Sequence, residues 1–334
     1  PIVGVDLIRT GKDDFYVLED NCRTPSGVSY MLENREIMMK MFPDLFHSNR
    51  VLRVDDYPTR LLQTLMSLAP KKCDSSVPTV VLLTPGHLNS AYYEHTFLSD
   101  QMGIEMVEAQ DLFVENDFLY MKTVDGPKKI DVVYRRIDDD YLDPLAYNPN
   151  SVIGVPGITH VYKTGGVNIC SAPGAGIADD KAVYIYVPEM IKFYLGETPI
   201  LDNVQTWRCE RDDDLKYVLE NIDELVIKEV DGSGGHGMLI GPKSTKQEIE
   251  DFSSKLKLHP EGYIAQPTLD LSSSPTLIDN EISGRRVDLR PFCLLGEKVQ
   301  LCPGGLTRVA LGKGSYVVNS SQGGGVKDTW VLAD

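Results

Sequence analysis

Residues 225–241, LVIKEVDGSGGHGMLIG, constrain this chain more than any other stretch: an apolar run, a lysine, a glycine-rich loop and a second apolar run. Val226, Ile227 and Val230 suit one strand and Met238, Leu239 and Ile240 another, so Gly232, Ser233, Gly234, Gly235, His236 and Gly237 read as a hairpin loop. Such a loop can bring bare backbone N–H groups against an anion. Lys228, at the end of the first run, carries a compact ammonium able to reach a phosphate beneath it. The G-x-G-x-x-G match through Gly232, Gly234 and Gly237 is followed by an apolar run rather than a helix, so it is not a dinucleotide fingerprint. No G-K-[ST] closes the segment as in a Walker loop, and no H-R-D or D-F-G accompanies it as in a protein kinase. Two readings remain: a phosphate-covering hairpin or a mobile surface turn.

At the start of the chain, residues 2–8 (IVGVDLI) and 15–18 (FYVL) flank a turn-rich segment and predict an antiparallel pair. Asp6 lies in the first strand. Glu19 and Asn21 end the second and, two apart, share a face, with Asp20 on the other. Asp6, Glu19 and Asn21 can therefore converge as hard oxygen ligands for Mg2+, phosphate oxygens completing its shell, or form a solvated acidic turn. The first residue is Pro1 rather than Met and a strand begins at once, so further sequence upstream is expected.

Helical patterns cover residues 28–41, where Met31, Leu32, Ile37, Met38 and Met41 are expected to pack in the core, and 59–68. A polar Pro- and Ser-bearing connection at 70–78 marks a domain boundary. Strands at 77–83, 105–107, 130–136 and 167–172, with a helix at 90–102, argue for a Rossmann-like parallel unit. Arg135 and Arg136 end one of its strands, as ligand contacts or as partners of residues 138–140. One helix is expected over 179–195, opened by Asp180-Lys181. Strands at 201–207, 262–266, 299–301, 307–311 and 316–318, one through the alternation Val287, Asp288, Leu289, Arg290, and helices at 212–221 and 245–256 complete a strand-rich C-terminal half. Residues 319–327 (NSSQGGGVK) read as a flexible connection or a lid.

A content of 42% hydrophobic and 25% charged residues over 334 residues is that of a globular chain, which excludes disorder. The formal net charge of −16 opposes nucleic acid or an anionic membrane as partner, because both reward a basic face. Six cysteines without C-x-x-C spacing indicate neither zinc nor a disulfide framework and suit a cytoplasmic location. No apolar run approaches the ~18 residues of a membrane span.

Asp180-Lys181 opening a helix, Val226-Ile227-Lys228 before the glycine hairpin, Gln266 ending a later strand and Gly284-Arg285-Arg286-Val287 starting another together resemble the nucleotide contacts of the ATP-grasp superfamily. Glu19-Asp20-Asn21 with Pro25 and Gly27 resembles its metal signature E-x-N-x-x-x-P-x-G. The metal segment comes first here, so the chain looks most like the circularly permuted ATP-grasp type 2 family, related to the synthetase domain of glutathionylspermidine synthase. The resemblance implies an α/β ATP-grasp fold with a Rossmann-like pre-ATP-grasp domain. Its expected parts are a metal-binding segment of the C-terminal lobe with helices (1–70), the Rossmann-like domain (77–200) and the ATP-grasp domain (201–334).

The resemblance also implies that Lys181 and Lys228 contact ATP, that residues 232–237 cover its phosphates, that Gln266 lies at the adenine hinge and that Asp6, Glu19 and Asn21 hold Mg2+. Arg290 is placed for a further phosphate contact. That family has R-x-D at its first metal ligand, whereas Gly4 stands two before Asp6, so the arginine facing an acyl-phosphate must come from elsewhere: Arg23, Arg136 or Arg308. The activity implied is an ATP-dependent carboxylate–amine ligase acting on small-molecule or peptide substrates. No amidase domain accompanies it, so a polyamine is not implied. A nucleotide-binding scaffold and a small-molecule kinase are the alternatives.

Overall fold

The computed structural model describes residues 2–232, 237–312, 314–315, 318 and 324–333. The first strands, Ile2–Arg9 and Phe15–Asn21, pair antiparallel as expected, but they belong to a sheet assembled from both ends of the chain. Its order runs Asp202–Asn203, Phe15–Asn21, Ile2–Arg9, Glu281–Leu295, Val299–Val309, Gly325–Asp328, with Ser273–Ile278 pairing along Glu281–Leu295. The strand at 273–278 carries no clean alternation of apolar residues and was not expected; its burial alternates between exposed and half-buried, the profile of a hairpin arm rather than of a core strand.

Two expected strands, 299–301 and 307–311, are one strand passing straight through Pro303-Gly304-Gly305. A Cβ at Gly305 would meet the backbone of Arg290 at 2.8 Å, so these glycines mark close strand approach rather than a turn. The expected strand at 316–318 and most of the expected lid at 319–327 lie outside the described residues. Residues 325–327 are part of the edge strand Gly325–Asp328 on Val299–Val309, which is not the free segment a lid needs.

The parallel unit is present. Strands Glu105–Val107, Val80–Leu83, Val132–Arg135 and Asn168–Cys170 form an all-parallel sheet in that order, with the crossover helix Tyr92–Met102 between the first two in chain order. Alternate residues serve two cores, which is why these strands read as continuous apolar runs. Val80, Leu82 and Tyr134 pack with helices Val28–Met41 and Tyr57–Ser67 and with Phe292 and Leu306 of the seven-stranded sheet. Val81, Leu83 and Val133 pack on the other side against Leu119, Ile130 and Ile158. The three-stranded sheet Leu112–Glu115, Phe118–Thr123, Gly126–Ile130, inserted there, has no counterpart in the sequence reading.

A fourth sheet, Trp207–Arg208, Tyr263–Pro267, Leu225–Glu229 and Leu239–Ile240, buries Ile227, Leu225 and Ala265 under helices Asp212–Glu220 and Lys246–Leu258. The second helix starts on a capping box, Thr245 with Glu248. The single strand expected at 201–207 is thus two, each in a different sheet.

The helix expected over 179–195 breaks into short turns, Ala175–Asp179, Lys181–Tyr184, Val187–Met190 and Ile191–Leu195. Pro188 supplies no N–H to a preceding turn, so one continuous ladder cannot form. Within helix Val28–Met41, Met31 is buried as expected whereas Ile37 and Met41 are exposed. All six cysteines are free. No helix is long and apolar enough to cross a membrane among the described residues.

Candidate active site

Strand Phe15–Asn21 is covered on its outer edge by Asp202–Asn203 only opposite Tyr16 and Val17. Beyond Val17 no further strand pairs along that edge among the described residues, and the pairing with Ile2–Arg9 slips by one residue between Asp6 and Leu7, placing Asp6 opposite Glu19. Glu19, Asp20 and Asn21 all line a cleft of about 930 Å3, so Asp20 does not face away as alternation alone would have it. Burial first, then the neighbouring carboxylates of Asp6, Glu19 and Asp179, push the Asp20 carboxyl up to about 6.

Arg290 stands directly across from Asp6, as the register Gly4↔Phe292 and Leu7↔Leu289 requires. Its Nε and Nη2 donate to the two Asp6 oxygens at 2.5 and 2.8 Å, and Arg308 Nη2 donates to Asp6 Oδ2 at 2.6 Å. Arg308 also holds Asp288, its cross-strand partner, through Nε at 2.9 Å. Asp6 is fully buried. Burial alone would raise its pKa, but Arg290 and then Arg308 more than offset this and hold it well below the usual carboxylate range. Asp6, expected as a metal ligand, is thus committed to two arginines. Gly4 is required beneath them, since a Cβ there would lie 3.2 Å from Arg290 Cδ and 3.1 Å from Pro25 Cβ.

Lys181 reaches the same place from the far side: its Nζ lies 3.8 Å from Glu19 Oε2 and donates to Gly232 O at 2.5 Å. Its backbone N–H donates to Val230 O at 3.0 Å, fastening the 181–184 turn to the hairpin. Lys228 donates to Gln266 Oε1 at 2.8 Å, and Gln266 Nε2 donates to Thr206 at 3.0 Å. Burial pushes the Lys228 ammonium below its ordinary range, while Glu19 opposes the shift. Ser233, Gly234, Gly235 and His236, expected to cover phosphates, lie outside the described residues. Gly237 has φ +68°, a left-handed conformation that favours glycine, and a Cβ there would push the Glu229 carboxyl aside.

Arg23 lines the cleft with its Nε 3.4 Å from Asp138 and 3.5 Å from Asp179. Arg135 pairs with Asp139 at 2.7 Å, as the second of the two readings had it, though from a buried position, whereas Arg136 turns to other partners. Arg135 is fully buried and donates to Ser171 O and Ile137 O, both at 2.6 Å. Arg136 donates to Pro25 O at 2.8 Å and pairs with Glu94 at 3.3 Å. Glu94 in turn accepts from the N–H groups of Gly27 at 2.6 Å and Ser29 at 3.1 Å, capping helix Val28–Met41 from the neighbouring unit. Glu94, Asp179, Asp288 and Thr206 escaped the sequence reading; only Asp288 carried a signal, as the polar partner of Arg290 on one strand face.

The cleft's second wall is the C-terminal edge of the parallel sheet, where Asn89, Ser90, His95 and Arg136 line the cleft opposite residues 23–26. His95 is buried, with Nδ1 2.9 Å from Thr84 Oγ1. Burial and then Arg136 push its imidazole down to about 3, against an ordinary 6.5. The folded protein therefore cannot take up the proton that the unfolded chain binds near that ordinary value, and stability must fall as pH drops below it, down to about 3. Urea denaturation is expected to show wild type losing up to about 1.4 kcal/mol per pH unit more than His95→Gln across that window; parallel pH profiles would exclude this origin.

No three His, Cys, Asp or Glu are gathered into a ready metal cage among the described residues. Glu19, however, is half-buried and pushed up first by burial and then by Asp6, a crowding of negative charge that a cation relieves. One carboxylate with the Asn21 side chain beside it fits Mg2+, which takes few protein ligands and completes its octahedron from phosphates and water.

This arrangement has known counterparts. A glutathione synthetase-like effector from Globodera pallida superposes with a TM-score of 0.63 at 11% identity, covering 99% of this chain and 75% of that one, which establishes likeness of fold. An uncharacterized protein of Synechocystis sp. is 54% identical over 332 residues, 99% of this chain and 69% of the relative. A putative glutamate–cysteine ligase of Frankia casuarinae is 40% identical over 333 residues, 99% of this chain and 38% of the relative. Both relatives extend well beyond the aligned region. Residues 1–310 match the family described as circularly permuted ATP-grasp type 2. With its N-terminal strands paired into the sheet of residues 273–309, and Asp231 and Gly232 meeting the parallel unit at one cleft, the chain belongs to the circularly permuted ATP-grasp type 2 family.

Proposed function

We propose that the protein is an ATP-dependent ligase that joins a carboxylate to an amine through an acyl-phosphate. The observation that carries this reading is the single cleft in which Glu19, Lys181, Arg290 and Arg308 face a second wall from the parallel sheet. A volume of about 930 Å3 is near the upper end of small-molecule sites and accommodates a nucleotide with an acyl substrate beside it. Lys181 and Lys228 hold the nucleotide, with Gln266 orienting Lys228 and Glu19 and Asn21 providing for Mg2+. That ion, when bound, neutralises charge on the β- and γ-phosphates.

A substrate carboxylate attacks the γ-phosphorus and ADP leaves; the amine then attacks the acyl carbon and phosphate leaves. Arg23, free of close hydrogen bonds at Nε, faces the acyl group, while Asp6 orients Arg290 and Arg308 toward the developing charge. The decisive assay incubates the full-length protein with ATP, Mg2+ and pools of amino acids or short peptides and measures ADP release. Release that requires both a carboxylate and an amine supports a ligase, and release with phosphate on a hydroxyl product would make it a kinase. Lys228→Ala is expected to weaken ATP binding by about 10- to 100-fold, the worth of a charged hydrogen bond in a buried site. Unchanged affinity by calorimetry would remove Lys228 from the nucleotide.

A further inference from the structure

Residues 175–184, between the parallel unit and the sheet of residues 207–267, are too broken to act as a helix and too well tied to be a plain linker. Three consecutive side chains there point to three places. Asp179 Oδ1 accepts from the backbone N–H groups of Cys22 and Arg23 at 2.5 and 2.9 Å, and its other oxygen lies 3.5 Å from Arg23 Nε. Asp180 caps its own turn by accepting from Ala182 N–H at 2.7 Å. Lys181 joins the hairpin by backbone and side chain and reaches Glu19. One turn later Tyr184, buried, donates from its hydroxyl to Val17 O at 2.5 Å, further back on the Glu19 strand.

Among the described residues no strand pairs with the outer edge of Phe15–Asn21 beyond Val17, so sheet pairing on that side does not hold its last residues. A carboxylate that accepts two successive N–H groups just after Asn21 does, and it does so from the turn whose next-but-one residue grips the hairpin. We infer that Asp179 is a positioning residue for the metal site: by fixing Cys22 and Arg23 it aims Asn21 and Arg23 into the cleft, while Lys181, two residues on, ties the same turn to Val230 and Gly232.

The inference rests on the reading that Glu19 and Asn21 provide for Mg2+. Its test is calorimetric titration of the full-length protein with a non-hydrolysable ATP analogue across a series of Mg2+ concentrations. Asp179→Ala should raise the Mg2+ needed for half-maximal enhancement of binding by about tenfold, as loss of charge-assisted backbone hydrogen bonds implies. Asp179→Asn keeps an oxygen that accepts both N–H groups and should stay within about threefold of wild type, a rescue that charge loss alone would not produce. A general loss of stability would lower the thermal midpoint without changing Mg2+ dependence, and that pattern overturns the proposal. If Asp179→Ala does not fold, Asp179→Asn decides alone, and a tenfold shift there overturns it as well. Glu19→Gln run alongside separates the failures: no Mg2+ shift in Glu19→Gln sinks the metal-site reading, whereas a shift there with none in Asp179→Ala sinks only the role of Asp179.

Discussion

Glu19→Gln is expected to reduce ADP release by about 100-fold or more while nucleotide binding stays measurable. The amide keeps the shape of the side chain but loses the negative charge that a hard cation prefers. It also relieves the crowding with Asp6 that raises the Glu19 pKa, so the variant should be at least as stable as wild type. This pairing of intact stability with lost turnover separates a metal-binding carboxylate from a structural one. Lys181, 3.8 Å away, is freed of its partner, and Lys228 and Gln266 remain to hold the nucleotide. Wild-type ADP release with the same Mg2+ dependence would remove Glu19 from the site.

Asp6→Ala should instead act on the fold, costing about 3–5 kcal/mol in urea unfolding because it strips a buried partner from two arginines at once. Arg308 retains Asp288, but among the described residues Arg290 keeps only the carbonyl of Ser26 at 3.2 Å. The Asp6 pKa is depressed in the fold, so its contribution is present above an unfolded value near 3.8 and is lost as pH falls below that. The exposed Arg53–Asp55 pair is the control: Arg53→Ala should change stability by about 0.5 kcal/mol or less. Equal effects of the two substitutions would mean that the Asp6 network is no more than a surface pair. A stable Asp6→Ala variant that loses only Mg2+ dependence would return Asp6 to the metal.

Local pattern made much of this architecture legible. Val28–Met41 and Glu105–Val107 stand where periodicity placed them, and the parallel unit follows from strand–helix–strand order, because a 3.6-residue or two-residue repeat records which face meets the core. The glycine hairpin announced itself for a similar reason: Gly237 takes a left-handed backbone conformation that favours glycine. Family membership was readable because its separated motifs occur in permuted order along one chain.

What the sequence could not determine was which charges meet. Arg23, Arg136, Arg290 and Arg308 were interchangeable candidates in one dimension. Only the pairing of Ile2–Arg9 with Glu281–Leu295, nearly 300 residues apart in the chain, put Arg290 and Arg308 on Asp6 and left Glu19 on a strand edge that no further strand pairs among the described residues. The helix expected over 179–195 is interrupted first at Asp180, whose backbone is extended, and again before Pro188, which supplies no N–H, and the resulting short turns place Asp179, Lys181 and Tyr184 against three different segments. Periodicity reports how a segment meets its own core, whereas ion pairing depends on the distance between segments, which the tertiary structure alone sets.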